Sequence, residues 1–147
     1  MNLLLLHGFL GTPSTWDRVV PGTGAPLLPG HGPDPDMSPA SFEAAVDAIA
    51  ASLLPGPVIV AGYSMGARLA LGLAVRHPGL VRAAVLASVN PGLGGDERAA
   101  RIAWDDAQAA TLIEHGLPAF VDGWERLPLF ATQRRLSEDR RDADCSR

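Results

Sequence analysis

The chain has 147 residues, 47% hydrophobic and 19% charged, which is enough for one domain with a core to bury. A net charge of −4 supplies no basic field and argues against nucleic acid as a partner. A single cysteine, Cys145, excludes an internal disulfide, and no apolar run nears the roughly 20 residues of a membrane span, so a cytoplasmic protein with no membrane contact is expected.

Leu3-Leu4-Leu5-Leu6 is a short continuous apolar run, the pattern of a strand buried on both faces of a parallel sheet. No basic residue precedes it and His7-Gly8 ends it, which does not fit a signal-peptide core. A short helix is predicted through Trp16 to Val20, and Ala25 to Leu28 is a weak candidate strand in a stretch rich in Pro and Gly. Pro29-Gly30-His31-Gly32 then turns the chain. Ser38 or Ser41 can cap the next helix, where Phe42, Val46, Ile49 and Leu53 fall at helical spacing before Pro55-Gly56-Pro57 stops it.

Val58 to Ala61 runs into Gly62-Tyr63-Ser64-Met65-Gly66, and a helix-forming run to about Arg76 follows. This is a G-x-S-x-G nucleophile elbow, a tight strand-to-helix turn that lifts a serine hydroxyl above the sheet edge. Ser64 at its apex needs strained backbone angles, and side chains at 62 and 66 would collide with the neighbouring strand or helix. Val81 to Ala87 reads as another buried strand. The order strand, helix, strand, helix, strand argues a mostly parallel sheet with helices on both faces. After Gly95 the character changes: one helix from Glu97 to about His115 and a second from Pro118 to about Arg126 lead to the apolar turn Leu127-Pro128-Leu129-Phe130. Three segments are expected, a core over 1–95, a helical segment over 96–133 and a disordered polar tail over 134–147.

A serine becomes a nucleophile or base only when a histidine takes its proton and an acid orients that histidine. Developing charge also needs preorganised donors, here the Met65 N–H after the serine and the Phe9 N–H in the loop after the first strand. Loss of one such donor typically costs about 3–4 kcal/mol of transition-state stabilisation. Of the four histidines, His7 fits a role holding that loop and His31 one bracing its turn. His77 and His115 end helices, where the dipole favours them. Arg68 lies one helical turn after Ser64 and could clamp a carboxylate bidentately; a surface salt bridge is the plainer alternative. Trp124 is a packing residue by composition and a pocket wall by position.

The chain resembles the α/β-hydrolase superfamily. Within it, the chain is most similar to the 2-succinyl-6-hydroxy-2,4-cyclohexadiene-1-carboxylate synthases of menaquinone biosynthesis. The similarity is carried by Leu6-His7-Gly8-Phe9-Leu10-Gly11, Leu28-Pro29-Gly30-His31-Gly32, Gly62-Tyr63-Ser64-Met65-Gly66-Ala67-Arg68 and Pro91-Gly92-Leu93. It continues through Glu97-Arg98-Ala99-Ala100-Arg101 and Phe120-Val121-Asp122-Gly123-Trp124 to Pro128-Leu129-Phe130-Ala131. The resemblance implies a serine-based site that eliminates pyruvate from a succinyl-cyclohexene carboxylate intermediate, a small carboxylate substrate, without metal or organic cofactor. It implies Ser64 as the triad serine, Phe9 and Met65 as oxyanion donors, and Tyr63, Arg68, Arg101 and Trp124 as substrate contacts. The triad Asp and His should follow in later strands, which have no counterpart after Phe130. The composition of the tail points to a frame change or premature stop soon after Gln133, an impaired chain, and an unpaired sheet edge open to self-association. A generic carboxylesterase and a non-catalytic fragment are the alternatives.

Overall fold

A computed structural model describes residues 2–32 and 39–131. The possible cap Ser38, the polar tail with Cys145 and the change of character after Gln133 lie outside the described residues. The chain divides into two compact units, Met1–Pro91 and Gly92–Arg147.

The first unit is built on three parallel strands, β1 (Asn2–Leu6), β2 (Val58–Tyr63) and β3 (Val81–Ala87), in the order β1-β2-β3. Leu6 pairs with Gly62 and Tyr63 with Ala87, so the carboxyl ends of all three strands lie side by side. Parallel neighbours need a crossover, and each of the two contains one α-helix among the described residues: α1 (Phe42–Ser52) between β1 and β2, and α2 (Met65–Arg76) between β2 and β3. Ser41 caps α1 by accepting the Ala44 N–H at 3.1 Å, which satisfies one of the orphan donors of its first turn.

Leu4 and Leu6 of β1 and Val58 and Val60 of β2 point to one face, where they meet Leu69, Ala70 and Leu73 of α2. Ala45, Val46 and Ile49 of α1 and Leu28 close that core from outside. The α1–α2 crossing is tight at Gly72, where a Cβ would come within 2.8 Å of Val46 Cγ2 and 3.0 Å of the Phe42 ring. Away from the strands' carboxyl ends, Asp47 of α1 takes Arg76 through two bonds of 3.1 and 2.7 Å and His77 Nε2 at 2.7 Å. The Arg76 fork, and after it the His77 ring, hold the Asp47 carboxyl down at about 2, below its ordinary 3.8.

Four expectations are corrected here. Ala25 to Leu28 forms no strand; Pro26 has no N–H to give a ladder. The turn near Trp16 is a 3-10 helix over Pro13–Trp16 rather than a helix through Val20. Both α-helices of this unit belong to the single core cluster on one face of the sheet. On the other face Leu5 is 1% exposed while Ile59 and Ala61 are only half-buried. Finally, β3 is not a buried strand: it pairs only with β2 among the described residues, and Val85 is 60% exposed. A strand is buried on both faces only when layers cover both, and β3 has α2 on one side alone.

The second unit carries α3 (Gly95–Glu125), which breaks at Gly116 with φ 78° and ψ 171°. The positive φ suits glycine, and Pro118 just beyond cannot continue the backbone ladder, so two helices meet there as the sequence predicts. Within this unit Trp124 stacks on Phe120 at 5.7 Å and meets Trp104 and Phe130 at 5.6 and 6.2 Å.

Candidate active site

Ser64 sits between the last residue of β2 and the first of α2, with φ 53° and ψ −113°. A non-glycine residue held there stores strain that its surroundings must offset. Those surroundings are on three sides. Ser64 N–H donates to Ala87 O at 2.9 Å, fastening the turn to the end of β3. Ser64 O accepts from Arg68 N–H at 3.1 Å, opening the helix. On the third side the glycines allow backbone to lie on backbone. A Cβ on Gly62 would strike the Gly66 carbonyl and, at 2.6 Å, the Ala67 nitrogen. A Cβ on Gly66 would strike the Leu6 and His7 carbonyls at the end of β1. The first turn of α2 therefore rests directly on the β1 terminus.

The loop after β1 is placed beside this turn. Gly8 lies against Tyr63, whose ring a Cβ would approach to 3.0 Å. Gly11 N–H closes a turn onto Gly8 O at 3.0 Å, and Leu10 within it takes φ 59°. Phe9 is thus carried on a tight turn next to the elbow. Its ring meets that of His31 edge-on at 5.9 Å. The Phe9 and Met65 amides belong to two turns that touch, at the carboxyl ends of two paired strands.

His7 is fully buried, and both ring nitrogens are engaged: Nδ1 lies 2.9 Å from Gly8 O, and Leu28 N–H reaches Nε2 at 3.3 Å. Burial pushes its pKa below the ordinary histidine value; the Gly8 bond opposes this, and nearby His31 adds to it. This ring is tied up in structure. His31 Nδ1 lies 3.3 Å from Pro29 O, bracing its own turn. Asp47 and His77 form an acid–histidine pair, but His77 follows the last residue of α2 while Ser64 precedes the first. At 1.5 Å per residue over the thirteen steps from Ser64 to His77, that separates the pair from the serine by about 20 Å. It cannot serve Ser64. His115, 3.8 Å from Glu114, belongs to the second unit.

The proposed substrate contacts divide between the units. Tyr63, 43% exposed, adjoins the elbow in the first. Arg68, also exposed, places its guanidinium 5.9 Å from the centre of the Phe42 ring and has no carboxylate partner among the described residues. Among the described residues, the plainer salt-bridge alternative for it is not found. In the second unit, Arg101 donates from Nε to Asp105 at 2.9 Å and covers the Trp104 ring at 5.1 Å. Trp124 is in the aromatic cluster of that unit. An open groove of about 470 Å³ lies at the other end of the sheet, against Asn2, Pro26, Leu54 and Val58, and offers no titratable side chain. Among the described residues, no group of three or more His, Cys, Asp or Glu could hold a metal ion.

Residues 3–145 match the model of the Alpha/beta hydrolase family. The chain belongs to that family. A protein of Bacillus subtilis (strain 168), provisionally named 2-succinyl-6-hydroxy-2,4-cyclohexadiene-1-carboxylate synthase, is 36% identical over 149 residues, covering 93% of this chain and 54% of its own. A pimeloyl-acyl-carrier-protein methyl ester esterase of Aromatoleum aromaticum (strain DSM 19018 / LMG 30748 / EbN1) is 35% identical over 141 residues, covering 92% and 54%. Among solved structures, MenH from S. aureus superposes with a TM-score of 0.85 at 30% identity, covering 99% of this chain and 59% of that one. The chain spans little more than half the length of these relatives.

The strained backbone at Leu10 and Ser88 (φ 54°) is not legible in the sequence, because neither residue type signals a left-handed turn. Nor is the Leu28 tie to His7, a contact between residues 21 apart with no local pattern. The glycine geometry gives a direct test. Gly66→Ala is expected to lose about 3 kcal/mol or more of stability in urea unfolding, because backbone must move to admit the methyl. Gly79→Ala, with nothing within 4 Å of its Cβ position, should stay within about 0.5 kcal/mol. Equal losses would contradict the close approach.

Proposed function

We propose that this chain carries the serine half of an enzyme of the 2-succinyl-6-hydroxy-2,4-cyclohexadiene-1-carboxylate synthase type, working in the cytoplasm without metal or organic cofactor. The observation that supports this best is the left-handed Ser64 at the strand-to-helix turn, beside the Phe9 loop, in a chain whose relatives include proteins of that name. No helix among the described residues is long and apolar enough to cross a membrane. In this reading Ser64 Oγ, once a histidine base holds its proton, removes a proton from the substrate. The Phe9 and Met65 amides receive the charge that develops on oxygen. The electron pair of the broken C–H bond forms a second double bond in the substrate's existing ring as the C–O bond to the pyruvate enol breaks, and the enol leaves to become pyruvate. Arg68 suits a carboxylate because its guanidinium has no acid partner among the described residues and is steadied by the Phe42 face. Tyr63 is proposed as a further substrate contact on this unit, and Arg101 and Trp124, by the resemblance of their motifs, as contacts carried by the second unit. Nε of Arg101 is held by Asp105, which leaves its terminal nitrogens to meet an anion.

The triad acid and base have no counterpart in the described residues after β3, so the 147 residues alone should be impaired. Absence of a triad member leaves a residual acceleration of about 10³–10⁴ over water from the oxyanion donors and binding. A carboxylesterase is the second reading, supported by the relative named as a methyl ester esterase. A fragment without catalysis is the third.

Pyruvate release from the synthase substrate separates the three. The expected rate for this chain lies about 10⁴-fold or more below that of S. aureus MenH, falling further to background in Ser64→Ala. Arg68→Ala should raise KM with the carboxylate substrate. Turnover of carboxylate-free esters unchanged by Arg68→Ala would favour the esterase, and pyruvate release at the full rate would refute the missing base. The exposed edge of β3 is further proposed to promote self-association, since unpaired strand edges template pairing. Sedimentation should find oligomers in the parent chain that Val85→Lys reduces; monomers in both would refute it.

A further inference from the structure

His7 occupies a position with only one compatible protonation state. Gly8 O can only accept, so the Nδ1 it faces at 2.9 Å must carry the proton. Leu28 N–H can only donate, so the Nε2 it reaches at 3.3 Å must be bare. The neutral Nδ1–H ring meets both demands. A second proton would set two N–H groups against each other at Leu28, with no solvent to relieve them, since the ring is fully buried.

This ring ties together three stretches that local structure leaves independent. It belongs to the turn carrying Phe9; it fixes Leu28, whose side chain is in the core; and it meets the His31 ring at 5.2 Å with an interplanar angle of 67°. His31 in turn lies against Phe9 and is held to its own turn by Leu28 O and Pro29 O. The other neighbours of His7 are uncharged: Gly8, Gly11 within 3.3 Å of Nδ1 in Cβ position, and Gly66 against the His7 carbonyl. His31 is therefore the one titratable side chain facing it among the groups named, and a charge on His31 disfavours a proton on His7.

We propose that His7 is a positioning residue for the loop bearing the Phe9 N–H, and that it latches this loop to Leu28 only while neutral, so that acidification releases the loop locally. The catalytic consequence rests on Phe9 being an oxyanion donor; the latch itself does not. Burial lowers the pKa of the folded ring, so the unfolded chain takes up its proton first, near 6.5. The stabilisation from the latch is then complete above the unfolded value and is lost as pH falls from 6.5 through the lower folded value.

The test is a pH titration of the intact, substrate-free chain by ¹H–¹⁵N NMR, reading the histidine ring nitrogens and the backbone amides together. At neutral pH His7 should show protonated Nδ1 and bare Nε2. In the step where Nε2 gains its proton, the Leu28 and Phe9 amide signals should shift together, with loss of the hydrogen-bonded position of Leu28, while Ala83 in β3 and Ala107 in α3 stay in place. His31→Gln should move that step to higher pH. An Nε2–H tautomer at neutral pH, Phe9 and Leu28 amides silent across the His7 step, or a single global transition that carries Ala83 and Ala107 along would each overturn the latch. Because no substrate is present, failure of the synthase reading leaves these outcomes unchanged.

Discussion

Backbone rests on backbone where the first turn of α2 meets the end of β1, and the site depends on that contact. Gly66 leaves no room for a methyl group between α2 and the Leu6 and His7 carbonyls, and Gly62 leaves none against Gly66 itself. Protein interiors transmit displacements because they are close-packed, so an ångström inserted here would travel into Ser64. The same approach brings the loop after β1 beside the turn after β2. The left-handed turn at Ser64 and the placing of the Phe9 loop beside it thus share one steric condition.

Strain in the turn is offset by bonds around it. Ser64 is held in a left-handed conformation by its N–H on Ala87 and by the helix its carbonyl opens. Leu10 and Ser88, also left-handed, flank it in the loops after β1 and β3. Three strained non-glycine residues therefore gather at the carboxyl ends of the three strands, the end where ligands bind in open parallel sheets. The opposite end is built differently, with Asp47, Arg76 and His77 bonding α1 to the end of α2 through an exposed ionic cluster.

The strands, α1, α2 and the break in the second unit were legible in the sequence because each rests on a local signal. These are four leucines, a helical repeat from Phe42 to Leu53, a glycine-flanked serine, and Gly116 followed by Pro118. The family was legible as well, from motifs that resemble the α/β hydrolases, and residues 3–145 match that family. Burial of β3 was not legible. An apolar run looks the same whether one face or two are covered, and only the layers around Val85 decide which. Within the site, the elbow could be read from spacing, because its glycines have a steric reason. The Leu28–His7 tie and the stacking of Arg68 on Phe42 could not, because each joins segments whose approach is set by tertiary packing.

The arrangement sets Ser64 beside the loop bearing Phe9, the pair proposed here as nucleophile and oxyanion donor, while two histidines of the same unit are committed elsewhere. His7 is bonded at both nitrogens, and His77 is a helix length away. Such a site should react with an electrophile that forms its own oxyanion, though slowly. Incubation of the purified chain with a fluorophosphonate, followed by mass-spectrometric mapping of the adduct, tests this most directly. The expected result is a single adduct at Ser64, formed more slowly than on S. aureus MenH and absent from Ser64→Ala. No adduct at Ser64, or labelling spread equally over Ser14, Ser52 and Ser88, would contradict the view that this turn presents a primed serine.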